Sequence, residues 1–185
     1  MANKIKYGLS NVYYAVATDD GTGTLTYDTP VKIPGAVNLT MDPQGDTTPF
    51  YADNIIYYTS TANNGYAGTL EIALVPESFR TAVLGEAADS NGVMVETAGV
   101  PTVEFALLFQ FEGDVDATRH AFFRCTASRP SASSQTQEAA INPVTETLNL
   151  TAMPRISDHV VKARCLSAST TQYSAWYSAV YTIAP

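Results

Sequence analysis

Apolar residues recur at every second position over many short stretches of the chain, which is the period of a strand with one buried face. The longest alternation covers 103–112, where Val103, Phe105 and three further apolar residues face away from Glu104 and Glu112. This stretch predicts a core strand. Shorter β-rich stretches predict strands at 12–16, 24–33, 37–41, 55–60, 69–75, 119–127, 147–151 and 161–165. The pattern predicts a mainly β protein built as an antiparallel sandwich or barrel.

Two segments between the predicted strands stand out. The Asn64-Gly65 pair predicts a hairpin that joins 55–60 to 69–75, because both central residues of a type I′ turn need positive φ. Residues 43–53 have no period and carry two prolines, so they predict a long loop. Loops of this length in compact domains are usually functional or disordered.

One short helix is predicted after the strand at 69–75. Pro76 suits the first turn because it needs no amide partner there, and Phe79 and Val83 share one face at i, i+4. Gly85 supplies a left-handed stop. A helix this short is not stable alone, so it should lie against a sheet.

The chain length predicts a single domain over residues 1–185, since 185 residues supply one well-buried core. Its main part is expected at about 5–153. The segment 154–185, which holds the only tryptophan, Trp176, is harder to place.

Composition supports a folded globular domain, with 45% apolar and 15% charged residues. The N-terminus has no apolar stretch behind its lysines, and no run reaches the roughly 18 apolar residues of a membrane span. We therefore expect folding in the reducing cytoplasm. Cys125 and Cys165 are then expected as small buried apolar residues and not as a disulfide.

The net charge of −8 is unevenly distributed along the sequence. Residues 42–116 hold twelve acidic residues against the single base Arg80, whereas 117–185 hold six bases and three acids. One interpretation is a solvated acidic face; the other is a polar subunit whose acidic and basic surfaces meet when copies stack. Neither predicts attraction to DNA, which needs a basic stripe.

Candidate chemistry is sparse. A zinc site from His120, Cys125, His159 and Cys165 is conceivable, but no short Cys-x-x-Cys or His-x-x-x-His spacing supports it. Core thiols and surface imidazoles are the favoured interpretation. The sequence also lacks the Gly-x-Ser-x-Gly nucleophile motif and a Gly-rich phosphate loop. It predicts no enzyme, no cofactor and no metal.

An ordered set of short segments carries more information than any single motif. The segments are Tyr7–Ala15, Val31–Val37, Phe50–Tyr58, Asn64–Glu71, Pro76–Phe79, Leu84–Glu86, Phe105–Asp114, Arg119-His120, Cys125–Pro130 and Thr145–Leu148. In this order, over residues 5–153, they resemble the major tail protein (tail-tube protein) family of long, non-contractile-tailed phages that infect Gram-positive bacteria.

The resemblance implies a structural subunit with a tail-tube fold, a β-sandwich that carries a long extended loop. Copies are expected to close into six-membered rings, which stack into a tube whose lumen conducts DNA during ejection. The implied partners are the protein itself and the tail length-measuring, tail-tip and tail-completion proteins. DNA is expected to pass without specific binding, and no membrane is implied. The expected location is the virion tail, after assembly in the host cytoplasm.

Three groups of residues become candidate sites. In such subunits a long loop reaches an adjacent ring, and the expected inter-ring residues here are Thr47, Phe50, Tyr51, Asp53, Tyr57 and Tyr58. The expected lumen-facing acids, which would repel DNA phosphates, are Glu104 and Glu112. A basic surface that meets the acidic region of a neighbour is expected from Arg119, Arg124, Arg129, Arg155, Lys162 and Arg164.

Other functions fit the same β architecture. A sandwich that binds carbohydrate, or an adhesin domain, would need an exposed aromatic platform, which the region of Trp176 and Tyr177 could supply. A tube subunit of a bacterial secretion or contractile injection apparatus would also assemble into rings. A hydrolase is the most distant alternative, since no nucleophile or metal constellation supports it.

Overall fold

The computed structural model describes residues 3–136, 143–166 and 170–183. Within these ranges the strands are β1 (Lys6–Asp19), β2 (Leu25–Tyr27), β3 (Val31–Lys32), β4 (Ala36–Gln44), β5 (Thr47–Ala52), β6 (Ile55–Thr61), β7 (Gly65–Ile72), β8 (Ala87–Ala88), β9 (Met94–Val95), β10 (Phe105–Gly113), β11 (Thr118–Ala127), β12 (Glu146–Ala152) and β13 (Lys162–Cys165). The helices are α1 (Glu77–Phe79), continued by a π-helical turn over Arg80–Leu84, and α2 (Thr171–Ala175).

The main sheet runs in the order β2-β1-β10-β11-β12-β7-β4, with every described pairing antiparallel. Strand β11 changes partner along its length, because its first half pairs with β13 and its second half with β12. Strand β3 adds to β1. The strands thus enclose one principal core, which confirms the predicted mainly β, sandwich-like fold.

The principal core is lined by one face of β10, as the alternation predicted. Phe105, Leu107 and Phe109 are buried there, and the rings of Phe105 and Phe79 meet edge to face at 5.4 Å. The predicted start of this strand was wrong, because Val103 is 37% exposed and β10 begins at Phe105. The amide of Val103 instead donates to the carbonyl of Val83 in the helical turn.

The opposite face of β10 was predicted to be its polar side, and that prediction was wrong over the middle of the strand. Ala106 and Leu108 are fully buried in a second cluster, where Trp176 and Val180 of the C-terminal segment cover them. The indole N–H of Trp176 donates to the carbonyl of His120 at 3.2 Å. The C-terminal segment is therefore an integral part of the fold.

The helix predicted after the seventh strand is present, although its second turn is π-helical. Phe79, Val83 and Leu84 are buried, and Gly85 ends the helix with φ 77°, a left-handed conformation that favours glycine. Helix α2 was not predicted. The hydroxyl of Thr170 caps it by accepting from the amide of Tyr173.

Two other strand predictions need correction. The strand expected over 24–33 is split into β2 and β3, and Pro30, which has no amide hydrogen, lies in the interruption. The small hairpin of β8 and β9 was not predicted, because each of its strands has only two residues. Its turn is held by the Asp89 carboxylate, which accepts from the amides of Asn91 and Val93.

The hairpin predicted at Asn64-Gly65 was wrong. Strand β6 pairs with β5, whereas β7 pairs with β4 and β12. The reversal lies instead at Asp53 and Asn54, whose φ angles are 53° and 60°, as a tight turn of this type requires. Residues 43–53 are accordingly strand and turn and not an irregular loop. Pro43 and Pro49 fit there because both lie on edge strands, which can spare an amide donor.

Candidate assembly surface

The feature that departs most from a closed sandwich is the hairpin of β5 and β6, residues 47–61, here called the arm. It continues the β4–β7 pair beyond the main sheet and its core, here called the body. The amide of Asn64 donates to the carbonyl of Gln44, and the amide of Ala62 donates to the carbonyl of Asp46. The paired residues then run from Thr47 opposite Thr61 to the reversal at the tip. The arm is therefore a hydrogen-bonded extension of the main sheet.

The arm exposes an unusual amount of apolar surface. Its large apolar and aromatic side chains have between 57% and 71% of their surface exposed, and they are Phe50, Tyr51, Ile55, Ile56, Tyr57 and Tyr58. An isolated two-stranded hairpin is only marginally stable in water. Contiguous exposed apolar patches on soluble proteins mark interaction sites, where Tyr and Phe are enriched. The arm therefore has the composition of an interface and lacks a partner within its own described chain.

All six residues expected in an inter-ring loop lie on this arm. Phe50 stands opposite Tyr58 across the two strands, and the hydroxyls of Thr47 and Thr61 are 3.2 Å apart near its base. Asp53 forms the tip. Sequence reasoning omitted Ile55 and Ile56, whose signal was the unbroken apolar run Ile55–Tyr58.

The two acids expected to face a lumen lie at opposite ends of β10, and both have partners in the chain. The Arg124 guanidinium donates twice to the Glu104 carboxylate, at 2.7 and 2.8 Å. Glu112 accepts from the Ser10 hydroxyl and the Gln110 amide, which hold the pKa of Glu112 below its usual value.

Much of the expected basic surface is bound within its own chain. The Arg119 guanidinium lies 3.8 Å from the ring centre of Tyr173 and donates to Gln110. The Arg129 Nε atom lies 2.6 Å from the Glu96 carboxylate, as an ion pair without hydrogen-bond alignment. Arg155 pairs with Asp158. These three arginines therefore have partners inside their own subunit, although only Arg129 pairs with an acid distant in sequence.

Lys162 and Arg164 have different surroundings, although both are exposed on β13. The Lys162 ammonium lies 4.2 Å from the ring centre of Tyr66 and donates to its hydroxyl. Arg164 lines a surface cleft of about 560 Å³, here called the cationic cleft. The cleft is lined by Asn3, Lys4, Ile5, Lys6, Phe111, Asp116, Thr118, His120, Arg164 and Leu166.

His120 forms an inner wall of the cationic cleft and stacks on Phe109 with ring centres 5.1 Å apart. Burial lowers the pKa of His120 to about 4, with further lowering from the cations Arg164, Lys162 and Lys6. The folded state therefore favours the neutral imidazole.

This shift predicts a pH-dependent stability. Because the unfolded chain takes up the proton first, near its ordinary pKa of 6.5, the contribution of neutral His120 is fully present above that pH. It is lost as the pH falls toward about 4. Between about pH 7 and about pH 5 the urea midpoint of the unchanged protein should fall, and His120→Gln should flatten that slope. If the urea midpoint changes with pH by the same amount in both proteins, the lowered pKa of His120 is contradicted.

Across the described part of the chain, no three His, Cys, Asp or Glu side chains come together in a way that could hold a metal ion. Cys125 is a buried free thiol whose pKa is raised by burial, whereas Cys165, which was expected to be buried, is partly exposed. No helix within 3–136, 143–166 and 170–183 is long and apolar enough to span a membrane.

Comparison with known protein families identifies the family of this chain. The family model described as phage tail tube protein matches residues 2–176. The chain belongs to this family. A search of the curated proteins found no match. The match covers the body, the arm, the cationic cleft and α2, so the C-terminal segment as far as Trp176 belongs to the shared domain.

As a member of this family, the protein is a structural component of the virion tail. It assembles with copies of itself and with other tail proteins. The alternative of a glycan-binding platform at Trp176 and Tyr177 loses its structural basis. Trp176 is only 3% exposed, and the Tyr177 ring stacks on Tyr13 with centres 4.7 Å apart. These aromatic rings attach the C-terminal segment to the body.

Proposed function

We propose that this tail tube protein closes into rings of six copies, which stack into the tube of a long, non-contractile tail of a phage infecting Gram-positive bacteria. The observation that carries the proposal is the arm. It exposes six large apolar or aromatic side chains on a two-stranded extension that has nothing to lie against in the described chain. A neighbouring copy in the tube provides the missing surface.

Ring closure is supported by the free edge of the main sheet. Strand β4 ends the strand order, so its outer edge offers backbone donors and acceptors to a neighbour. Adding a strand at such an edge is a common mode of association, because the backbone supplies the hydrogen bonds. We propose that β4 contacts the next copy within a ring while the arm reaches an adjacent ring.

We further propose that the lumen conducts DNA during ejection and that its wall repels the DNA phosphates. The open face of β4, β7 and β12 is rich in hydroxyl and amide groups, carries acids and has no lysine or arginine. Its cross-strand rows are Asn38, Glu71 and Thr147; Thr40, Thr69 and Asn149; Asp42, Ala67 and Thr151. A wall of this chemistry has little affinity for phosphates.

Glu104 and Glu112 stay as proposed lumen acids at the two ends of β10. Their hydrogen bonds leave a smaller free charge than the sequence implied, because Arg124 neutralises Glu104. The open face of β4, β7 and β12 is the larger candidate for the lumen wall.

We also propose the tail length-measuring, tail-tip and tail-completion proteins as partners of the finished tube.

Negative-stain electron microscopy across a concentration series, with the mass in solution measured in parallel, tests the proposed function. Hollow tubes with six-fold end views are expected, because the arm and the β4 edge each need a neighbouring copy. A tail-tip complex should be added where the free protein stays monomeric, since such a template can start assembly. Solitary monomers at the highest concentration with that template present would contradict the proposal.

A further inference from the structure

Ion pairs within the described residues hold four of the ten basic residues. Arg80 binds Glu86 and Glu146 at 3.3 and 2.8 Å. The pairs Arg124–Glu104, Arg129–Glu96 and Arg155–Asp158 use three more of the ten basic residues. The charged side chains that have no ion pair are therefore a better guide to partner surfaces than the numbers of acidic and basic residues in the sequence.

Three of the acids without an ion pair lie on the arm and its base. Asp42 and Asp46 lie at the base and Asp53 lies at the tip, all three exposed and without an ion pair in the described residues. No lysine or arginine occurs between Lys32 and Arg80 in the sequence. The arm is thus an apolar element with a purely negative charge.

The remaining cations are concentrated in the cationic cleft. Lys4, Lys6 and Arg164 line it and have no ion pair in the described residues, while Asp116 is the acid of the lining. The cleft also has an apolar part, because Ile5 and Leu166 are both more than half exposed. Its chemistry is the counterpart of the arm, with a positive wall beside apolar side chains.

We propose that the cationic cleft of one copy receives the arm tip of another copy. The Asp53 carboxylate lies among Lys4, Lys6 and Arg164, and the aromatic side chains beside the tip cover Ile5 and Leu166. The volume of about 560 Å³ is within the ~300–1,000 Å³ of ordinary binding pockets and accommodates a hairpin tip. This inference rests on the proposed self-assembly and names the surface that the arm contacts.

The proposal predicts that reversing the charge of the cleft weakens assembly. The double variant Lys6→Glu with Arg164→Glu should raise the protein concentration needed for tubes at least about tenfold, and added salt should weaken assembly of the unchanged protein. Adding Asp46→Lys and Asp53→Lys to the reversed cleft should restore tubes, because the signs are opposite again. The matched control is Lys32→Glu with Asp28→Lys, two exposed charges outside both surfaces, which should assemble normally.

Urea midpoints of all variants should match that of the unchanged protein, since the altered side chains are at the surface. If the reversed cleft unfolds the protein, the neutral pair Lys6→Gln with Arg164→Gln replaces it and should show a smaller loss. Normal tubes from a folded reversed variant, or no restoration by the arm changes, would overturn the cleft assignment and leave the proposed function standing. Absence of tubes from the unchanged protein would overturn the proposed function, and this inference with it.

Discussion

Replacing Phe50, Tyr51, Tyr57 and Tyr58 with serine should abolish tube formation while the monomer stays folded. Buried aromatic anchors in interfaces commonly contribute about 2 kcal/mol or more each, so four losses exceed a hundredfold change in the assembly concentration. In the monomer these side chains are exposed. Exposed substitutions of this kind usually change the free energy of unfolding by no more than about 0.5 kcal/mol each. Electron microscopy and urea unfolding measure the two effects separately.

A single change away from the arm provides the control for lost apolar surface. Leu74 is 67% exposed between β7 and α1, so Leu74→Ser removes a large apolar side chain without touching the arm. The Leu74 variant should form tubes at close to the normal concentration. Tubes from the four-serine protein at the normal concentration would remove the arm from the assembly surface.

Trp176→Ala should destabilise the monomer by about 3–5 kcal/mol, the usual range for truncating a large buried aromatic residue. The side chain is buried against Leu108 and Phe123, and its N–H bonds the carbonyl of His120. Removing it opens a cavity and leaves a carbonyl without its donor. Chemical unfolding monitored by circular dichroism measures the loss.

The neighbouring change Gln172→Ala is the matched control, because Gln172 lies on the same short helix and is exposed. It should change the free energy of unfolding by less than about 0.5 kcal/mol. A loss below about 1 kcal/mol for Trp176→Ala would mean that the C-terminal segment contributes little to the fold. The second cluster would then be a weak surface contact.

The core strands could be predicted from the sequence because burial imposes a period on local residues. The alternation that ends at Phe111 identified β10, and Gly85 marked the end of the helix. The burial of the other face of β10 could not be predicted. It depends on Trp176, which is about seventy residues away in sequence, and no local period encodes which segment covers a sheet.

The arm shows how the same candidate residues can be identified although their local structure is predicted wrongly. Asn64-Gly65 is a strong turn signal, yet its glycine lies at the junction of the body and the arm, where a Cβ would come 2.1 Å from the Ala152 carbonyl. Asp53 and Asn54 make the reversal without glycine, because both residue types tolerate positive φ. The exposed aromatic residues were recognised in either case, since their chemistry does not depend on the turn.

Charge was the least predictable property. The sequence separates acidic 42–116 from basic 117–185, which suggested contacts between copies. Antiparallel pairing brings the two regions together within one chain, as in Glu104 with Arg124. Only the fold reveals that Asp53 at the arm tip and Arg164 in the cleft have no such partner inside the described chain.

Cryo-electron microscopy of the assembled tube, at a resolution that traces the arm, tests the central claim most directly. The expected result is rings of six copies with a hollow, non-basic lumen, and each arm lying against a copy in an adjacent ring. Arms folded back onto their own subunits, with contacts between rings made elsewhere, would contradict the claim that the arm builds the tube.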